Sequence, residues 1–146
     1  MIPLDDSESA MKAAEYALLI STGLDAELLA IHVVRSEDAM IATNSLIENL
    51  DTITTEDSIV QTVKKDAEKW FITIREKSSA NGIRLKTGLV VSPIEVDDAI
   101  VNYAERENVG LIVIGEEGKS GLKEKLHGST ASHIAAQIKR PILIVK

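Results

Sequence analysis

Apolar positions along this chain follow two rhythms. Unbroken runs such as Leu28-Leu29-Ala30-Ile31-His32-Val33-Val34 and Leu111-Ile112-Val113-Ile114 alternate with longer stretches where apolar residues return every three or four positions. An unbroken run of this length marks a strand covered on both faces of a parallel sheet, and the three-to-four spacing marks a helix with one buried stripe. The runs predict strands over 1–4, 27–35, 84–91, 109–114 and 141–146. The spacing predicts a first helix capped by Ser7 or Asp6, with Glu8 in its first turn and Gly23 as its stop. Its inner face is Ala10, Ala13, Ala14, Ala17, Leu18 and Ser21.

A second helix opens at Ser58 with Ile59, Val63, Ala67, Trp70 and Ile74 inward, and ends at Asn81-Gly82. A third, over 95–108, buries Val96, Ala99, Ile100, Tyr103 and Ala104. The last, over 131–139, buries Ala131, Ile134, Ala135 and Ile138. Residues 36–57 break the rhythm: they are polar, rich in Thr, Asn and acidic side chains, and read as a variable excursion with room for a short helix at 45–50.

Strand and helix alternate from end to end, without an internal repeat. The expectation is an α/β, Rossmann-like, doubly wound fold: a five-stranded parallel sheet in the order 3-2-1-4-5, with right-handed crossovers and helices on both faces. With 146 residues the chain reads as one domain, 1–146, able to bury a core unaided. Sheets of this kind bind ligands at the carboxyl ends of their strands. Asp5, the end of the second strand near Val33 and the residues after Ile114 all lie at such ends.

Composition narrows the function. The chain has no cysteine, which rules out disulfides and thiolate metal sites within it. No apolar run is long enough to span a membrane, and no basic leader precedes an apolar stretch, so a cytoplasmic protein with no membrane partner is expected. The net charge of −7 opposes general nucleic-acid binding, which needs a basic face. A nucleotide would have to be held by local geometry instead of a long-range field.

The local geometry is concentrated after the fourth strand. Half of the eight glycines, at 115, 118, 121 and 128, fall in one stretch that leads into the last helix. A strand that ends in glycines and hands over to a helix exposes main-chain N–H groups and a helix N-terminus to an anion. Gly118-Lys119-Ser120 imitates the end of a P-loop, but that motif needs four residues between its glycines. Here only Glu116 and Glu117 separate Gly115 from Gly118.

The spacing does fit another signature: Gly115, two residues, Gly118, nine residues, then Gly128-Ser129. This resembles the nucleotide-binding pattern of universal stress proteins, and the likeness covers nearly the whole chain. Pro3-Leu4-Asp5-Asp6-Ser7 is similar to the family's first strand end, and Ala13-Ala14-Glu15-Tyr16-Ala17 to its first helix. Leu29-Ala30-Ile31-His32-Val33, Leu111-Ile112-Val113-Ile114-Gly115 and Arg140-Pro141-Ile142-Leu143-Ile144-Val145 are similar to its second, fourth and fifth strands.

The resemblance implies an adenine-nucleotide cleft for ATP or AMP in a stress-response protein. Asp5 would lie toward the ribose and adenine, the backbone of Val33 at the adenine edge, and Ile114 and Gly115 on the floor. Glu117 stands at a position that often assists with phosphate, and Gly118, Gly128, Ser129 and Thr130 would hold the phosphates. Mg²⁺ or Mn²⁺ would bind through the phosphates, and a homodimer would form through the strand Ile142 to Lys146. No catalytic residue is assigned. Slow ATP hydrolysis, with Asp5 or Glu117 orienting water, is the most that enzymatic action could amount to.

Three departures from the family pattern bear on this. The residues between the first two glycines are commonly neutral or basic, and here both are Glu. Each carboxylate–phosphate pair at about 6 Å costs on the order of 1 kcal/mol at an effective dielectric of about 40, which predicts weakened ATP affinity. Lys119, Lys123 and Lys125 offset part of it. After the third strand the family's Gly-x-Pro is replaced by Ile94-Glu95-Val96, which reshapes one wall of the cleft. The first strand begins at Met1, shorter than the family's, as if trimmed or started late. The alternative function is a nucleotide-free dimeric interaction or regulatory module of the same fold. His32 reads as a core residue, Trp70 as a core or interface anchor, and Asp6 as a helix cap. His127 and His133 are too isolated to form a metal site.

Overall fold

The computed structural model describes residues 1–39, 56–117 and 130–146. Along the chain these form β1 (Ile2–Pro3), α1 (Glu8–Leu24), β2 (Leu28–Arg35), α2 (Glu56–Ala80), β3 (Leu85–Ser92), α3 (Val96–Arg106), β4 (Ile112–Gly115), α4 (Thr130–Gln137) and β5 (Ile142–Val145). Every strand pairing among the described residues is parallel, as unbroken apolar strands joined by helices require. Residues 36–39 turn helical directly after β2. Residues 40–55 of the expected excursion, with its short helix at 45–50, lie outside the described residues, and its last two residues already belong to α2.

The pairings form two sheets instead of the single five-stranded sheet expected: β1-β2-β3 and β4-β5. The reason is the shortness of β1, whose two residues give little ladder for β4 to join. The sheets still touch. The N–H of Val113 donates to the carbonyl of Met1 at 2.9 Å, and the Met1 amine donates to the carbonyl of Leu111 at 2.7 Å.

Side chains alternate along the strands and feed two cores. Ile2, Leu4, Leu28, Ala30, Val113 and Val145 pack with Ala13, Ala14, Ala17 and Leu18 of α1 and Ala67, Phe71 and Ile74 of α2. Their neighbours Met1, Ile31, Val33, Ile112 and Ile114 pack on the opposite face with Ala99, Ile100 and Ala104 of α3 and Ala131 and Ile134 of α4. Helices therefore cover both faces. The predicted inner face of α1 is the observed one, from Ala10 to Ser21, and its alanines let the helix lie close to the sheet.

The differences are local. α1 runs past Gly23 to Leu24 and is closed by Asp25, whose φ of 49° takes the left-handed turn instead. α2 starts before Ser58, at Glu56, so Ser58 is not its opening residue. Gly82, at φ 66°, does close α2 as predicted. Val109 is buried but precedes β4, since its N–H closes α3 on the carbonyl of Ala104 at 2.9 Å. Ala135 is exposed: α4 presents only Ala131 and Ile134 as buried positions, with Ile138 packing just beyond its end.

Candidate functional site

The site is built first by the end of β1. Pro3 pairs with Ile31, and the N–H of Leu4 donates to the carbonyl of Ile31 at 2.7 Å. Asp5 then leaves the sheet, half-buried. Its Oδ1 accepts the main-chain N–H of Ser7 at 2.9 Å and the Ser7 hydroxyl. Ser7 Oγ in turn accepts the N–H of Ala10 at 3.1 Å, capping α1. Capping thus belongs to Ser7 with Asp5 behind it, and not to Asp6, whose side chain is exposed. A carboxylate and a hydroxyl act together because the first turn of a helix leaves main-chain donors without partners.

Beside Asp5 stand the other strand ends. Val33 is buried near the end of β2, opposite Val90. Ile114 and Gly115 end β4, buried, opposite Ile144 and Val145. The chain then turns: the N–H of Glu116 donates to the carbonyl of Val145 at 2.8 Å. The carboxylate of Glu116 lies 3.6 Å from Lys146 Nζ. Glu117 is exposed, and its carbonyl accepts the Ser9 hydroxyl. Thr130, half-buried, opens α4. Gly118, Gly128 and Ser129 lie outside the described residues.

Gly115 has a role that its place in a glycine motif does not convey. A Cβ added there would meet the carbonyl carbon and Oγ of Ser9 at 2.5 Å and the main-chain nitrogen of Ala10 at 2.8 Å. The first turn of α1 therefore rests directly on the end of β4, and only a residue without a side chain allows it. The glycine serves helix–strand contact. The main-chain N–H after it, on Glu116, is already used by β5.

The wall after β3 is polar. Ser92, buried at the end of β3, accepts the N–H of Ile94 at 3.3 Å. Glu95 precedes α3 without a side-chain cap. Its carboxylate instead accepts Arg35 Nη1 at 3.1 Å, while Arg35 grips Asp38 through Nε at 2.9 Å and Nη2 at 3.2 Å. The Asp38 and Glu95 carboxylates raise the guanidinium pKa above its usual value. This ties the end of β2 to the start of α3. Across the same helix, His133 Nδ1 of α4 lies 2.9 Å from Asp97 Oδ2. Among the described residues no group of three or more His, Asp or Glu side chains is placed to hold a metal.

Sequence reasoning missed Ser9, Arg35 and Lys146. Each acts on a residue far along the chain, to which no local spacing points. The arrangement as a whole is a set of parallel strand ends. An acidic turn occupies the middle, small and apolar residues form the floor, and a helix start stands opposite.

Parallel strands covered by helices on both faces define a Rossmann-like α/β fold. The family model described as the universal stress protein family matches residues 1–146, and the chain belongs to that family. It is 31% identical over 153 residues to the universal stress protein YxiE of Bacillus subtilis, covering 100% of this chain and 97% of that protein. The solved structure of MJ0577, a protein of Methanocaldococcus jannaschii, superimposes with a TM-score of 0.75 at 25% identity, over 99% of this chain and 92% of the other.

Two further structures share the fold. A universal stress protein solved in complex with cAMP matches with a TM-score of 0.63 and 22% identity, covering 99% and 92% of the two chains. One from Archaeoglobus fulgidus solved with dAMP matches with a TM-score of 0.66 and 18% identity, covering 100% of each. No helix among the described residues is long and apolar enough to cross a membrane.

Proposed function

We propose that this chain is a cytoplasmic adenine-nucleotide-binding module of the stress response, a single domain over 1–146. The observation that carries the reading is the convergence of Asp5, Val33 and the pair Ile114–Gly115 at neighbouring strand ends, in a family with members solved holding cAMP and dAMP. Asp5 takes the ribose side, the backbone of Val33 the adenine edge, and Ile114 and Gly115 the floor. Glu117, Gly118, Gly128, Ser129 and Thr130 face the phosphates. Mg²⁺ or Mn²⁺ reaches the site on those phosphates.

The two glutamates weaken the grip on a triphosphate, and unequally. Glu116 has Lys146 beside it, so its charge is partly offset, and Glu117 carries more of the penalty. AMP, with less charge to repel, is the better ligand of the two. The sheets act as one, in the order 3-2-1-4-5, a reading supported by the bonds from Met1 to Val113 and Leu111.

Calorimetric titration with AMP, and with ATP and Mg²⁺, tests the reading on the parent chain and on Glu116→Thr/Glu117→Arg. Measurable AMP binding, weak ATP binding and a gain of about tenfold or more for ATP in the variant are expected. If neither protein binds either nucleotide, the chain is a nucleotide-free interaction module. Micromolar ATP binding by the parent would overturn the electrostatic argument alone.

A further inference from the structure

Ser9 lies outside the nucleotide signature, two residues beyond the cap of α1, yet it joins the two halves of the site. Three observations meet at it. Its hydroxyl donates to the carbonyl of Glu117, where the glycine stretch leaves β4. Its own backbone and Oγ are what a side chain at position 115 would strike. Its Oγ also lies 3.3 Å from Ser7 Oγ, and Ser7 is bonded to Asp5.

Counting protons gives these contacts a direction. A hydroxyl has one proton to donate. That of Ser7 goes to Asp5, and its lone pair takes the N–H of Ala10. That of Ser9 goes to Glu117, whose carbonyl can only accept. The 3.3 Å contact between the two hydroxyls is then left without a proton and is not a hydrogen bond, and the fixed bonds are Asp5 to Ser7 and Ser9 to Glu117. Both hydroxyls stand on the same first turn of α1. Asp5 and the entry to the glycine stretch are thus fastened to one rigid element from two sides.

We propose that Ser9 is a positioning residue that latches the turn at Glu116 and Glu117 to α1 and so holds that turn in register with Asp5. The inference rests on the nucleotide-binding reading for its consequence, but the latch exists without ligand. Loss of the hydroxyl frees the Glu117 carbonyl and lets the turn after Gly115 drift from the Asp5 side. Phosphate and ribose then no longer find their partners at a fixed spacing, and affinity falls although no ligand contact has been removed.

The test compares the parent, Ser9→Ala and Ser9→Thr by amide hydrogen exchange without nucleotide and by titration with AMP. In Ser9→Ala, exchange at the Glu116 and Glu117 amides is expected to rise about tenfold and AMP affinity to fall about three- to tenfold, the range one net hydrogen bond allows. Melting temperature should fall by no more than about 2–4 °C, the shift that one lost hydrogen bond gives in a domain of this size. Ser9→Thr, which keeps the hydroxyl, should restore both exchange and affinity. Unchanged exchange in Ser9→Ala, or no rescue by Ser9→Thr, overturns the latch. If exchange responds as expected but the parent binds no AMP, the latch stands and the nucleotide reading falls.

Discussion

His32 Nδ1 lies 2.7 Å from the carbonyl oxygen of Leu4. Since a carbonyl only accepts, Nδ1 carries the proton and donates. The ring sits edge-on to Trp70, centroids 4.8 Å apart at an interplanar angle of 60°. A β2 side chain thus fixes the last residue before Asp5, and an α2 indole fixes that side chain in turn. Phe at position 32 keeps the ring packing and leaves the Leu4 carbonyl without this donor. Urea unfolding of His32→Phe should show a loss of about 1–3 kcal/mol. A change near zero would mean that water replaces the donor there at no cost.

Two glycines should respond oppositely to alanine. At Gly115 the new Cβ meets backbone atoms of Ser9 and Ala10 within 2.8 Å, and helix and strand cannot part without disturbing the core. Gly115→Ala is expected to cost about 1–3 kcal/mol or more, as overpacking does. At Gly23, inside the last turn of α1, a Cβ meets nothing within 4 Å, and alanine restricts the unfolded chain. Gly23→Ala should gain about 0.5–1 kcal/mol. Denaturation midpoints of the two variants should move apart; an unchanged or higher midpoint for Gly115→Ala would refute the packing argument there, and a lower one for Gly23→Ala would refute the helix argument.

What could be read from the sequence followed from what is periodic or local. The alanine stripe of α1 was legible because burial repeats with the helix turn, and its observed members match residue for residue. The strand runs were legible from their unbroken apolar residues, and the end of α2 from Asn81-Gly82. Ala135 is exposed although it lies within α4, because the buried stripe of this 8-residue helix is narrow and holds only Ala131 and Ile134. At the site, the Asp5-to-Ser7 turn and the glycine stretch announce themselves by residue type. The bonds that arrange them do not. Ser9 to Glu117, Lys146 to Glu116 and Arg35 to Glu95 join strand ends that only the folded sheet brings together.

In a chain whose first residue is Met1, the α-amino group makes stability depend on pH. Burial lowers its pKa from 8.0 to about 6, because the charged form loses its hydration while it donates to Leu111. The unfolded chain therefore binds more protons than the folded one between those values. This contribution is fully present above about pH 8 and is lost as pH falls toward 6, for a total of about 2–3 kcal/mol. For a chain whose first residue is Met1, urea midpoints should rise from pH 6 to pH 8.5. N-terminal acetylation, which removes the titration, should flatten that rise. An equal slope in the acetylated chain would assign the pH dependence to other groups.

The proposed homodimer through β5 gives the last prediction. Within the described residues β5 pairs only with β4, and Ile142, Leu143 and Ile144 are not buried, Ile144 being 37% exposed. An apolar strand with an unpaired ladder edge invites a second copy, and a lysine on such an edge blocks pairing by carrying charge into the contact. Ile144 contributes little to the monomer core, so Ile144→Lys should leave the melting temperature of the isolated chain nearly unchanged. Light scattering at tens of micromolar should show the parent at about twice the monomer mass and the variant at the monomer mass. A parent that is already monomeric, or a variant that stays dimeric, would move the interface away from β5. The exposed face of α1 with Tyr16, Leu19 and Leu24 would then be the apolar surface to test next.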